Sequence, residues 1–191
     1  MTSKFPHGLF VIRHCRTEYN ASHRISRQSD SPIVDLSIDD SIWDLFCHQY
    51  KEIKIISSPL TRCQKTVEVF LNQHTKHDSH VFIDSRIIER GMGSWEGQLK
   101  KEILTKYPRY NYQGQFNPLY TPPQGETFND FFNRIDKFIE DLYAMQPKAP
   151  LLICAHNNSL KLLKYCLTNN NNLLDFWVLH HFQNGKVERI Y

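Results

Sequence analysis

Glycine is scarce in this chain, with seven among 191 residues, and no Walker A pattern occurs, which argues against a nucleotide kinase. No apolar run approaches the ~18–20 residues needed to cross a bilayer. The apolar run near the N-terminus, LFVI, spans four residues before Arg13, so neither a signal peptide nor a membrane anchor is expected. The five cysteines (15, 47, 63, 154 and 166) are odd in number and scattered, with no CxxC pair. They read as reduced thiols in a cytoplasmic protein. None has an arginine six positions later, which argues against cysteine-based phosphate chemistry. A net charge of +3 without a basic stripe is too small to indicate a nucleic-acid partner, and none is expected, but it mildly suits an anionic ligand. His74, His77 and His80 lack a metal-site spacing and read as a hydrated helix end.

Hydrophobic residues make up 40% and charged residues 23%, which is ordinary for a globular protein, and the length suits one domain over 1–191. GLFVI at 8–12 and IKII at 53–56 read as buried strands, VFI at 81–83 as a third and LLICA at 151–155 as a fourth. Between them, helical spacing covers 37–50 behind a Ser37 cap, 59–73 behind Pro59, 98–107 before Pro108, 126–145 and 158–167. LDFWVLHHF and KVERIY frame Asn184-Gly185, a two-residue hairpin signal that predicts antiparallel edge strands. Strands alternating with helices predict an α/β fold, a three-layer sandwich around a mostly parallel sheet. Ligands of such folds sit beyond the carboxyl ends of the strands.

Polar groups cluster at those ends. The first strand ends in Arg13-His14, the second in Ser57-Ser58 with Arg62 one turn into the next helix, the third leads to Glu89, and the fourth ends at His156. Two imidazoles, two guanidiniums and a carboxyl group suit phosphoryl transfer. That chemistry needs cations on the non-bridging oxygens, an in-line nucleophile and a proton donor for the leaving oxygen. Arginine matches phosphate bidentately. A neutral imidazole is nucleophilic near pH 7 when its other nitrogen is held as a donor.

RHCRTEYN at 13–20, SSPLTRCQKTVE at 57–68, IIERGMGSWEG at 87–97, PPQGETF at 122–128 and CAHNNSLKLL at 154–163 come in the order of five family segments. Together they resemble the histidine phosphatase (phosphoglycerate mutase-like) superfamily. The resemblance implies a phosphoglycerate mutase-like α/β/α sandwich and a metal-independent phosphomonoesterase of the histidine acid phosphatase type, with no cofactor. His14 would be the phosphorylated nucleophile. Arg13, Arg62 and His156 would hold the phosphate, and Asn20 would contact it or the substrate. Glu89 would protonate the leaving alcohol and then activate water, with Glu96 of the WEG triplet as the rival carboxylate. Ser57 would orient His14 and Arg62.

Three family glycines are replaced, by Cys15, Arg27 and Asn157, which should crowd or reshape the phosphate pocket. Arg27 is expected either to bind a second anionic group or to lie solvated on the surface. Residues 105–123 are expected to roof the site, with Lys106, Arg109, Tyr110 and Tyr112 near the leaving group. The partner is a small phosphate ester of unspecified identity, and the oligomeric state stays open, a homodimer included. Glu89 and Gly125 are only 36 positions apart, closer than in the mutases the chain resembles, which favours hydrolysis. A phosphoglycerate mutase-type phosphotransferase and a non-catalytic phospholigand-binding relative are the alternatives.

Overall fold

The computed structural model describes residues 5–26, 28–75, 78–168 and 172–191. Among them the strands are β1 (Leu9–Arg13), β2 (Arg16–Thr17), β3 (Ile33–Asp35), β4 (Glu52–Ser57), β5 (Asp78–Ile83), β6 (Asn111–Tyr112), β7 (Gln115–Phe116), β8 (Leu151–Ala155) and β9 (Val187–Arg189). The helices are α1 (Glu18–Ala21), α2 (Ser41–Cys47), α3 (Thr61–Gln73), α4 (Lys100–Lys106), α5 (Phe128–Met145), α6 (Asn157–Thr168) and α7 (Leu173–Leu179). The main sheet runs β5-β4-β8-β1-β9. Its first four strands are parallel, and only β9 pairs antiparallel, against β1.

The apolar runs are continuous because both faces of the sheet are covered. Leu9, Val11, Leu151 and Ile153 pack with Phe131, Ile135 and Phe138 of α5 and Leu160 and Leu163 of α6. The alternate residues Phe10, Ile12, Leu152 and Cys154 pack with Trp43 of α2 and with Cys63, Val67 and Phe70 of α3. A one-residue slip of either central strand would exchange these two sets. The result is the expected three-layer α/β/α arrangement.

Two elements differ from the sequence expectation. The helix predicted over 37–50 is confined to Ser41–Cys47, because Ser37 bonds instead to Asp35, its backbone N–H donating to Oδ1 at 2.8 Å. The expected hairpin around Asn184-Gly185 does not form. Residues 173–179 make a helix that buries Phe176 and Trp177, and the Asn172 side chain caps it by accepting from Asp175 N–H. The alternating look of LDFWVLHHF hid this i, i+1 burial beside a cap. Gly185 adopts φ +70, and a Cβ there would meet the Ser37 carbonyl oxygen at 2.2 Å. This glycine therefore serves a close crossing of two loops and not a strand turn. His74 is buried, not hydrated, with its Nε2 2.9 Å from Asp40 Oδ2, while His77 lies outside the described residues.

Candidate active site

The sheet order sets β4, β8 and β1 side by side, so the residues that follow them meet at one edge. The ladder runs one step past the strands: His14 N–H donates to Ala155 O at 3.1 Å, and Ser58 N–H to Cys154 O at 2.9 Å. A cavity of about 590 Å³ opens there. Seven of the expected residues line it: Arg13, His14, Asn20, Arg62, Glu89, His156 and Asn157. Arg27 lies outside the described residues.

His14 is buried, and its Nδ1 stands 2.7 Å from the Cys15 carbonyl oxygen. A carbonyl only accepts, so Nδ1 carries the proton and Nε2 keeps its lone pair. Burial, then Arg13 and Arg62, push the His14 pKa well below the usual histidine value, so the ring is neutral at pH 7. The Arg13 pKa is lowered to about 10, chiefly by burial, which leaves the guanidinium charged at pH 7. Its Nη1 donates to Phe182 O at 2.9 Å, and its buried Nε has no hydrogen-bond partner among the described residues. Arg62 Nη1 donates to Ser29 O at 3.1 Å and stands 3.6 Å from Asp30 Oδ1.

His156 lies beside His14, ring centroids 5.2 Å apart. Arg62 Nη2 donates to its Nδ1 at 3.2 Å. A guanidinium only donates, so Nε2 bears the proton and gives it to Ser58 Oγ at 2.8 Å. Burial, then His14 and the nearby arginines, hold its pKa well below the usual value. Both nitrogens of His156 are thus engaged by protein groups, whereas a direct phosphate contact was expected. The serine next to the expected one carries this link. Ser57 Oγ donates to Ser58 O at 3.0 Å, and Ser57 does not line the cavity. The doubled SS before Pro59 was the only signal for Ser58.

Glu89, not Glu96, reaches the cavity. Its Oε1 accepts from Arg90 N–H at 2.9 Å and its Oε2 from Asn158 N–H at 3.2 Å, in the first turn of α6. Ser159 Oγ donates to Ile88 O at 2.8 Å and ties this segment to the same helix. Glu96 turns back to accept from Met92 N–H at 3.3 Å. The PPQGETF segment supports the loop from behind. Its Glu126 takes a two-pronged bond from Arg134, at 2.7 and 2.9 Å, and accepts from Gly91 N–H at 3.2 Å.

A second brace comes from the chain's last loop. Asn184 Nδ2 donates to His14 O at 2.8 Å, Phe182 N–H donates to Asn157 Oδ1 at 3.1 Å, and Arg13 Nη1 stands 3.3 Å from His181 Nε2. Asn20 Oδ1 is taken up mainly by capping α1, accepting from Thr17 N–H at 3.1 Å and Thr17 Oγ1 at 3.0 Å. Cys15 does not crowd the pocket, because its thiol points away toward Ser37 O and its backbone lies outside the left-handed region. Asn157 likewise needs no positive φ.

The expected roof over 105–123 holds in part, since Gln115 and Phe116 of that stretch line the cavity. Lys106, Arg109, Tyr110 and Tyr112 do not line the cavity. Tyr110 packs edge-on to Trp95, with ring centroids 4.6 Å apart, and Tyr112 Oη bonds to Asp175 at 3.2 Å. The outer wall is built by His23, Arg24, Lys100, Gln115, Phe116 and Trp177. These side chains come from four separate segments with no shared motif, so spacing could not bring them together. No group of three or more His, Cys, Asp or Glu side chains that could hold a metal ion occurs among the described residues. Among the described residues, no helix is long and apolar enough to cross a membrane.

A three-layer α/β domain thus carries a neutral, buried histidine at the strand ends, with two arginines close enough to lower its pKa. The histidine phosphatase superfamily (branch 1) profile matches residues 9–191, and the chain belongs to that family. It is similar to the probable fructose-2,6-bisphosphatase TIGAR A of Danio rerio, with 30% identity over 139 residues, covering 71% of this chain and 53% of that protein. The chain thus spans about half the length of that relative. It is 26% identical over 167 residues to a glucosyl-3-phosphoglycerate phosphatase of Mycolicibacterium vanbaalenii, covering 83% of this chain and 73% of the other. It is 27% identical over 172 residues to a 2,3-bisphosphoglycerate-dependent phosphoglycerate mutase of Bartonella quintana, covering 86% and 82%. Among solved structures, Bacillus stearothermophilus YhfR superposes with a TM-score of 0.76 at 24% identity, covering 94% of this chain and 88% of that one, which shows the shared fold.

Proposed function

We propose that this chain hydrolyses phosphate monoesters through a phosphohistidine on His14, without a metal ion. One observation carries the reading: His14 Nδ1 is committed to the Cys15 carbonyl at 2.7 Å, which leaves a neutral ring with Nε2 as the nucleophile. Nε2 attacks phosphorus, the N–P bond forms as the bond to the leaving oxygen breaks, and Glu89 gives that oxygen a proton. Glu89 then takes a proton from water as the water oxygen attacks phosphorus, and the N–P bond breaks to release phosphate. Arg13 and Arg62 offset the charge on the equatorial oxygens throughout. His156 acts through Arg62, which it holds in aim.

Relatives in this family include both phosphatases and mutases, and the short stretch between Glu89 and Gly125 favours water as the acceptor. The test is release of phosphate from p-nitrophenyl phosphate in EDTA. His14→Ala should abolish turnover, and Arg62→Ala should lower kcat/KM by about tenfold to a hundredfold, the equivalent of ~1.5–3 kcal/mol. Full activity in the His14 variant would end the mechanism. Phosphoglycerate isomerisation that requires a bisphosphate primer, with no net phosphate release, would assign the mutase reaction instead.

A further inference from the structure

The cavity is larger than its phosphate cradle. Its floor is buried, formed by His14, Arg62, Glu89 and His156, and its rim is open. At about 590 Å³ it falls within the ~300–1,000 Å³ of sites that enclose drug-sized ligands. The outer part therefore has room for more than a phosphate, and two features of its wall bear on what fits there.

The first is a fixed cationic ledge. Backbone bonds zip residues 23–25 to 97–100: Lys100 N–H to His23 O at 3.1 Å, Ile25 N–H to Gln98 O at 2.8 Å, and Gly97 N–H to Ile25 O at 2.8 Å. This zip brings Arg24 and Lys100 to the same mouth. Arg24 Nη1 donates to Gly97 O at 2.7 Å and Lys100 Nζ to Gln115 Oε1 at 2.6 Å, which orients both heads. Two carboxylates, Asp35 and Glu89, line the same cavity. Asp35 pairs in register with Arg16 in the β2–β3 ladder, and Glu89 sits on the first turn of α6.

The second is an ordered aromatic surface. Phe116 is stacked on Trp95, with ring centroids 5.7 Å apart and planes at 22°. Trp177 lines the same cavity but is packed in the core, so Phe116 is the more accessible ring. Rings already fixed in place lose little freedom when a ligand packs on them. They favour a flat, apolar partner over a fully hydroxylated one, whose polar groups would lose water without finding partners.

We propose that the outer half of the cavity is a leaving-group subsite for an alcohol that carries a planar ring and a second anionic group, carboxylate or phosphate. This rests on the phosphatase reading of the inner half and names its substrate class. Four alkyl phosphates separate the two features: glycerol phosphate has neither, 3-phosphoglycerate has the anion, benzyl phosphate has the ring, and 4-carboxybenzyl phosphate has both. The last should show a kcat/KM about tenfold or more above both benzyl phosphate and 3-phosphoglycerate. In the Arg24→Gln/Lys100→Gln double variant its advantage over benzyl phosphate should fall to near one. Phe116→Ala should remove its advantage over 3-phosphoglycerate, and Phe116→Tyr should restore it. Smaller wild-type ratios, or variants that lower all four esters equally, overturn the proposal. If none of the four is hydrolysed, the phosphatase reading falls. Calorimetric titration of the same four ligands then decides the subsite, and equal Kd values across the set overturn it.

Discussion

Ser58 Oγ lies 2.8 Å from His156 Nε2, and the opposite nitrogen of the same ring accepts from Arg62. Serine, imidazole and guanidinium form one buried line that ends at the phosphate cradle. Ser58→Ala leaves the Nε2 proton of His156 without this acceptor and frees the ring that aims Arg62. We expect kcat/KM to fall by about tenfold, with stability lower by ~1–3 kcal/mol, and Ser58→Thr to recover much of both. Steady-state kinetics beside urea denaturation will check this. An alanine variant with wild-type kcat/KM would show that the ring needs no such anchor.

The protonation state of His14 can be read directly. Nitrogen shifts of labelled histidine should show the Nδ1–H tautomer of His14 unchanged as pH falls through 6.5, because burial, Arg13 and Arg62 all disfavour its charged form. The same shift predicts how stability responds to acid. His14 and His156 have folded-state pKa values below their unfolded ones, so the unfolded chain takes up protons first as pH drops below about 6.5. The stability tied to the two neutral rings is whole above that pH and is lost below it, at up to about 1.4 kcal/mol per pH unit for each ring. Urea midpoints at pH 7.5 and 5.5 test the sign, and a higher midpoint at pH 5.5 would contradict it.

Cys15 occupies a family glycine position, yet its thiol is packed away from the cavity, and burial raises its pKa. Cys15→Gly should therefore lower the thermal midpoint, by the equivalent of about 1–2 kcal/mol from lost packing and added backbone freedom, without raising kcat. A clear gain in kcat would mean that the side chain does narrow the site.

Much of the architecture was legible because it rests on local periodicity. LFVI, IKII and LLICA are continuous apolar runs, and a strand covered on both faces has no other pattern to show. The residues at the carboxyl ends of those runs were legible for the same reason, since a parallel sheet brings strand ends to one edge. Residues 173–182 misled because apolar and polar positions there fit either period, and only packing of Phe176 and Trp177 into the core favours a helix.

By itself, then, the order of residues determined the buried strands, the helices between them and the histidines, arginines and carboxyl group that meet at their ends. Tertiary structure alone decided that Ser58 holds His156, that Glu89 reaches the cavity while Glu96 turns away, and that Arg24, Lys100 and Phe116 form the outer wall. The reason is distance along the chain. Ser58 and His156 are 98 positions apart. A hydrogen bond between them depends on which strands become neighbours, and no local pattern records that.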